Sequence, residues 1–122
     1  MRFTIMVGDE VAGMVQAGEE SERDYRSAWV DIFVATRFQN QGVGTEAIKQ
    51  LVRFLIDERS HHRITIDPAV ENAAAIRCYE KAGFERVGVM KMASRVPGTS
   101  EWHDDLLMEL VVRPEARGPG VT

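Results

Sequence analysis

Between Ala28 and Asp67 the hydrophobic period of this chain changes twice, from two to about 3.6 and back. Over residues 28–34, Val30, Ile32 and Val34 alternate with Trp29, Asp31 and Phe33, as in a strand whose side chains point to two faces. Up to about residue 59, Ala47, Ile48, Leu51, Val52, Leu55 and Ile56 recur at the spacing of one helical face. Glu46, Lys49, Gln50, Arg53 and Asp57 fall on the wet side of that helix. Residues 63–67 then form a short strand that stops at Pro68. A strand, a helix and a strand in succession favour two neighbouring parallel strands.

The flanks add antiparallel pieces. Phe3, Ile5 and Val7 alternate with Thr4 and Met6, Gly8-Asp9-Glu10 makes a turn, and residues 11–16 alternate again, which predicts a hairpin. Residues 17–26 carry Glu19, Glu20, Glu22 and Asp24 and read as a polar connection. Asn72 caps a second helix that ends at Gly83, and residues 85–92 and 102–112 give two more strands around Pro97-Gly98. The order predicts an α/β fold, a mixed α+β sheet flanked by helices, as one domain over residues 1–112. Residues 113–122, rich in Pro and Gly, are expected to fray.

Composition narrows the function. The 122 residues suffice for one modest core. Fifteen basic against nineteen acidic residues give a net charge of −4, and no basic stripe gathers on one element, so no nucleic-acid partner is expected. No apolar run is long enough to cross a bilayer and no signal peptide opens the sequence, so no membrane partner is expected. The single cysteine, Cys78, excludes an internal disulfide and reads as a packed thiol in a cytoplasmic protein. His61, His62 and His103 lack metal-ligand spacing, and no metal is expected.

Gln39-Asn40-Gln41-Gly42-Val43-Gly44 sits between a strand and a helix. Unpaired N–H groups in a first helical turn bind phosphate without lysine, and glycines let its oxygens approach the backbone. The same glycines also serve a plain turn. A Walker loop is excluded, because Gly44 is followed by Thr45-Glu46 instead of Lys-Ser/Thr. Gly42-x-Gly44-x-x-Ala47, with Asp67 ending the next strand, fits a dinucleotide fingerprint in letters. That fingerprint follows its strand at once, whereas here seven residues separate Val34 from Gly42.

Gln39-x-x-Gly42-x-Gly44 resembles the pyrophosphate loop of the GNAT superfamily of N-acetyltransferases. The run from Asn72 through Ala75-Ile76-Arg77-Cys78-Tyr79-Glu80-Lys81 to Gly83-Phe84 resembles that superfamily's second coenzyme-binding helix. With Ile66-Asp67-Pro68 ahead of it, this run looks closest to the aminoglycoside 6′-N-acetyltransferase branch. The resemblance implies a V-shaped opening between the two parallel strands, holding acetyl-CoA. Its pyrophosphate would lie on the amides of Gln41, Gly42, Val43, Gly44 and Thr45, with Gln39 in the loop. Its pantetheine arm would run beside Phe33, Val34 and Asn72, with a backbone N–H near Phe33 or Val34 polarising the thioester. Tyr79 would protonate the leaving thiolate, Asp31 would serve as base or amine anchor, and Asp67 would grip a cationic ring.

The resemblance further implies a strand and two helices ahead of the hairpin, which makes this chain N-terminally short. A homodimer is then expected, with Phe3, Ile5, Val7, Trp29 and Phe33 at the interface. The expected activity is acetyl transfer from acetyl-CoA to a primary amine such as an aminoglycoside. The alternative is a non-catalytic acyl-CoA-binding module or a truncated, inactive acetyltransferase. Read from the residues alone, Asp31 also suits an exposed strand position, Tyr79 a core tyrosine and Asp67 a turn before proline.

Overall fold

The structure, a computed structural model, describes residues 1–113. The elements in chain order are β1 (Arg2–Val7), β2 (Glu10–Glu20), β3 (Ser27–Val34), a 3₁₀ turn (Thr36–Phe38), α1 (Val43–Asp57), β4 (Arg63–Ile66), α2 (Ala73–Lys81), β5 (Glu85–Arg95) and β6 (Trp102–Val111). They form one mixed sheet in the order β1-β2-β3-β4-β6-β5. Among neighbouring strands only β3 and β4 run parallel, and they are joined through α1. The other neighbours pair antiparallel. Residues 114–122, most of the segment expected to fray, lie outside the described residues.

Alternation divides the sheet as the sequence predicts. Val15, Ala17, Ala28, Val30, Ile64 and Met108 are buried on one face. Against them pack Ile48, Leu51, Val52 and Leu55 of α1 and Ile76 and Tyr79 of α2, in one continuous core. Full burial of a side chain such as Leu55 stabilises the fold by about 1.5–3 kcal/mol. On the opposite face Trp29, Asp31 and Phe33 are exposed, Phe33 to 64%. Ile5, expected at an interface, instead belongs to the core, whereas Phe3 and Val7 remain partly exposed. Ile5 opposes Gly13 in the hairpin, and that register turns it toward the helices.

β2 runs four residues further than its apolar alternation suggests. Ala17 is small enough to face the core, and a side chain at Gly18 would meet the Trp29 indole at 2.2 Å. Glu19 is a strand residue held by two partners, not part of a solvated connection. Arg59 donates to it from two nitrogens, at 2.9 and 3.2 Å, and buried His61 lies 2.6 Å away through Nε2. These contacts, led by Arg59 and then His61, hold the Glu19 carboxyl down to about 2. They tie the end of β2 to the link between α1 and β4.

Candidate active site

β3 and β4 are paired only at Ala28↔Ile64 and Trp29↔Thr65, and then they part. Ala35 N–H donates to Ala12 across the β2 side, so by alternation the N–H groups of Ile32 and Val34 point into the opening. The Ile32 N–H, with no strand partner there, donates to Asp31 Oδ1 at 2.9 Å. The Val34 N–H remains directed at the gap.

A groove of about 410 Å³ borders this opening. Val34, Gln39, Gly42, Gly44, Thr45 and Asn72 line it together with Tyr79. Gly42 precedes α1 with φ of 79°, a left-handed conformation suited to glycine, and provides no side-chain cap. The first α1 amide to donate back is Glu46, to Gly42 O, which leaves the N–H groups of Val43, Gly44 and Thr45 without intrahelical acceptors. Gln39 Nε2 donates to Val34 O at 2.9 Å and joins the loop to the open strand. Asn72 Oδ1 accepts the Ala75 N–H at 3.1 Å, the expected helix cap.

Three expected coenzyme residues sit elsewhere by their side chains. Phe33 projects to the opposite face, because it neighbours Val34 on a strand. Gln41 turns back to donate to Arg37 O at 2.8 Å. Gln41 and Val43 instead line a second groove, of about 640 Å³, between β1 and α1. That groove is larger but mostly apolar, with Phe3, Ile5, Met6, Val7, Leu51 and Phe54 in its wall, and holds no acid–base constellation. The smaller groove is the one that gathers Gln39, Gly42, Gly44, Thr45, Asn72 and Tyr79. It also gains Arg77 and Lys81 of α2, which sequence reasoning missed. Their four-residue spacing after the Asn72 cap puts them on one helical face, and that was the available signal. Cys78 is partly buried in the same wall, its Sγ 3.2 Å from Thr45 Oγ1.

Tyr79 packs its ring edge-on against Phe84, with centroids 6.4 Å apart, and still lines the groove. Burial, followed by the charges of Cys78, Asp31 and Asp67, pushes its hydroxyl well above the usual tyrosine range. The group therefore keeps its proton at neutral pH. Asp31 is exposed, and its Oδ2 accepts the Gln16 amide at 3.2 Å. Asp67, also exposed at the end of β4, has its carboxyl raised by partial desolvation, then by Asp105 and Asp31. The opening thus has free amides and two cationic side chains on the helix side, and carboxylates on the other.

The model of the acetyltransferase (GNAT) family matches residues 1–84, through the loop, the opening and α2. This chain belongs to the GNAT acetyltransferase family. Among curated relatives, this GNAT protein is 40% identical over 72 residues to an aminoglycoside N(6′)-acetyltransferase type 1 of Klebsiella pneumoniae, covering 58% of this chain and 36% of that one. A kanamycin resistance protein of Rhizobium radiobacter matches at 40% over 72 residues, 58% of this chain and 67% of that one. Among solved structures, AAC(6′)-Ib in complex with ribostamycin and coenzyme A superposes with a TM-score of 0.71 at 28% identity. It matches 90% of this chain and 63% of that one. The GNAT chain therefore spans about a third of the Klebsiella relative. None of the helices described here is long and apolar enough to cross a membrane.

Proposed function

We propose that this GNAT protein transfers an acetyl group from acetyl-CoA to a primary amine, with aminoglycosides as the acceptor class. The observation that carries the reading is the meeting of two unlike surfaces at the β3–β4 opening. The free amides of Val43, Gly44 and Thr45, with Arg77 and Lys81, suit a pyrophosphate on the helix side. Asp31 and Asp67 suit a cationic amine on the other. Tyr79 stands between them.

Starting from the ammonium, acetyl transfer forms a C–N bond, breaks the C–S bond, and takes two protons off nitrogen, one ending on sulfur and one in solvent. Asp31 holds the ammonium and takes its proton, through water given its exposure. The Val34 N–H donates to the carbonyl oxygen as negative charge develops there. Tyr79 donates to the departing sulfur. Asn72 keeps its NH₂ group for the pantetheine amides, its Oδ1 being occupied by the cap. Asp67 anchors a second part of the acceptor. A homodimer in the cytoplasm goes with this reading, since Phe3 and Val7 are exposed on the unpaired edge strand β1, and Trp29 and Phe33 are exposed on β3. A single-chain mass in light scattering at micromolar concentration counts against the dimer.

The test of activity is a thermal-shift comparison of acetyl-CoA, CoA and NADH, followed by thiol release with kanamycin. At 100 times its dissociation constant, acetyl-CoA should stabilise the fold by about 2.7 kcal/mol, and NADH should not. A shift without thiol release from any amine would reduce the protein to an acyl-CoA-binding module. An equal shift with NADH would remove the coenzyme assignment.

A further inference from the structure

α1 carries a second stripe beside the one that faces the sheet. Val43, Ala47, Gln50 and Phe54 follow one another at spacings of four, three and four, the period of a seam that packs against another helix. All four line the larger groove, of about 640 Å³, between α1 and β1. Val43, Ala47 and Phe54 are only partly buried and Gln50 is exposed, so the seam has room for a partner along its length. Phe3 closes the strand side, edge-on to Phe54 with centroids 5.7 Å apart, and Val7 of the same strand adds to the wall.

The charges beside this seam are self-complementary. Glu46 and Arg53 stand seven residues apart, each one position before a seam residue, and both are exposed. Elsewhere Glu10, Glu19, Glu80 and Glu109 each pair with an arginine. Among the described residues neither Glu46 nor Arg53 has an ion-pair partner, and Glu46 accepts a hydrogen bond from the Gln50 amide at 3.3 Å. An antiparallel copy of α1 reverses the order of these positions. Val43 then lies against the partner's Phe54 and Ala47 against the partner's Gln50, small against large in each layer. The same register sets Glu46 beside the partner's Arg53 and Arg53 beside the partner's Glu46. Both free charges are matched by one surface meeting itself, as a two-fold pair requires. Gln50, near the axis, is the single polar seam residue, a common device for fixing register.

We propose that a second copy of this chain docks its α1 antiparallel in this groove, and that the partner's Phe54 braces the first turn of α1 at the coenzyme loop. Gln41, Gly42 and Val43 line the larger groove, and Gly42 lines the smaller one too, so both grooves share the loop. Val43 carries one of the free amides, and a phenyl ring packed on its side chain limits the movement of that turn. The inference deepens the dimer proposed above and rests on the coenzyme reading for the bracing alone. It takes in Phe3 and Val7 and leaves Trp29 and Phe33, on the opposite sheet face, outside the interface.

Sedimentation of the full chain across the micromolar range, with charge reversal at the flanking positions, tests the pairing. Wild-type protein should reach a two-chain mass. Glu46→Arg and Arg53→Glu should each weaken the pairing about tenfold or more, because each turns both cross-pairs into like charges. The double variant restores opposite charges and should pair nearly as the wild type does. Both positions are exposed, so melting temperatures should stay close to wild type. A single-chain mass for the wild type, single variants that pair as well as it does, or a double variant no better than the singles overturns the inference. Saturating coenzyme A should tighten wild-type pairing by about fivefold or more, since linked equilibria act on each other equally. Coenzyme that binds and leaves the pairing unchanged overturns the bracing. The thermal shift with acetyl-CoA separates the two readings. Charge-swap rescue without a shift leaves the pairing and removes the coenzyme reading, and a shift with a single-chain mass does the reverse.

Discussion

Tyr79→Phe deletes one oxygen at the place where the smaller groove meets the acidic face. The ring keeps its edge-on contact with Phe84, so the melting temperature should hardly move. The catalytic cost follows from the hydroxyl's position on the acidity scale. It sits well above the ordinary tyrosine value of about 10, while a thiol ionises near about 8.5. Complete proton transfer from Tyr79 to the leaving thiolate is therefore uphill by at least about 2 kcal/mol. A hydrogen bond to the developing charge is the larger contribution, about 1.5–3 kcal/mol, or roughly 10- to 160-fold in rate. Thiol-release kinetics should show kcat lowered by that factor, with the KM for acetyl-CoA nearly unchanged. Unchanged kcat would refute the donor role, and a loss near 10⁴-fold would point to full general-acid transfer instead. The sign with pH is also fixed. Because the folded value is raised, the proton stays through neutral pH, and stability falls only as pH rises past the unfolded value near about 10.

Glu19→Ala should destabilise the fold by about 1–3 kcal/mol in denaturant unfolding, through the buried His61 it leaves unpaired and not through the exposed Arg59. With Glu19 held down to about 2 from 4.5, its contribution is fully present above about pH 4.5 and disappears as pH falls through about 2. An acid-unfolding midpoint identical in the variant would contradict this. Gly42→Ala should cost about 1–2 kcal/mol, since φ of 79° is strained for alanine although space is open around it. Acetyl-CoA affinity should fall with it. Gly44→Ala, whose nearest contact would be Cys78 at 3.5 Å, should keep its stability, and equal melting temperatures for the two variants would count against the backbone argument. Gly13→Ala puts a methyl 2.0 Å from the Phe33 carbonyl, so β3 must shift at a cost of about 1–3 kcal/mol. Turnover should fall further than coenzyme affinity, and a wild-type rate would show that the opening tolerates such movement.

Local pattern carried much of this in the sequence. The α1 stripe, the Asn72 cap and the stop at Gly83 (φ 106°) each depend on residues close together in the chain, where periodicity and capping preferences act. Long-range partners were invisible. Gly18 extends β2 because Trp29 covers it, and Glu19 is held by residues forty positions away, so its charge alone suggested solvent. Phe33 is a different case. Strand alternation already excludes Phe33 and Val34 side chains from one groove, and the reading had to choose between them.

On the proposed reading, that alternation in β3 lets one short strand serve both substrates. Ile32 and Val34 turn their side chains to the helix side and line the smaller groove, while Asp31 and Phe33 face the other way. Backbone N–H groups alternate within the sheet plane, so Val34 sends its amide into the gap while its side chain faces the groove. On that proposal, thioester and amine would approach from opposite faces and meet where β3 has left β4, beyond Trp29↔Thr65. A one-residue slip of β3 would interchange the two sets and turn the Asp31 carboxylate to the groove side. Gly13 opposes such a slip: it lies under the Phe33 carbonyl at a distance no side chain tolerates, beside the irregularity that seats both Ala12 and Gly13 in the interior. The register of β2 on β3 therefore fixes which β3 side chains reach the groove, as much as the loop that follows it fixes the free amides.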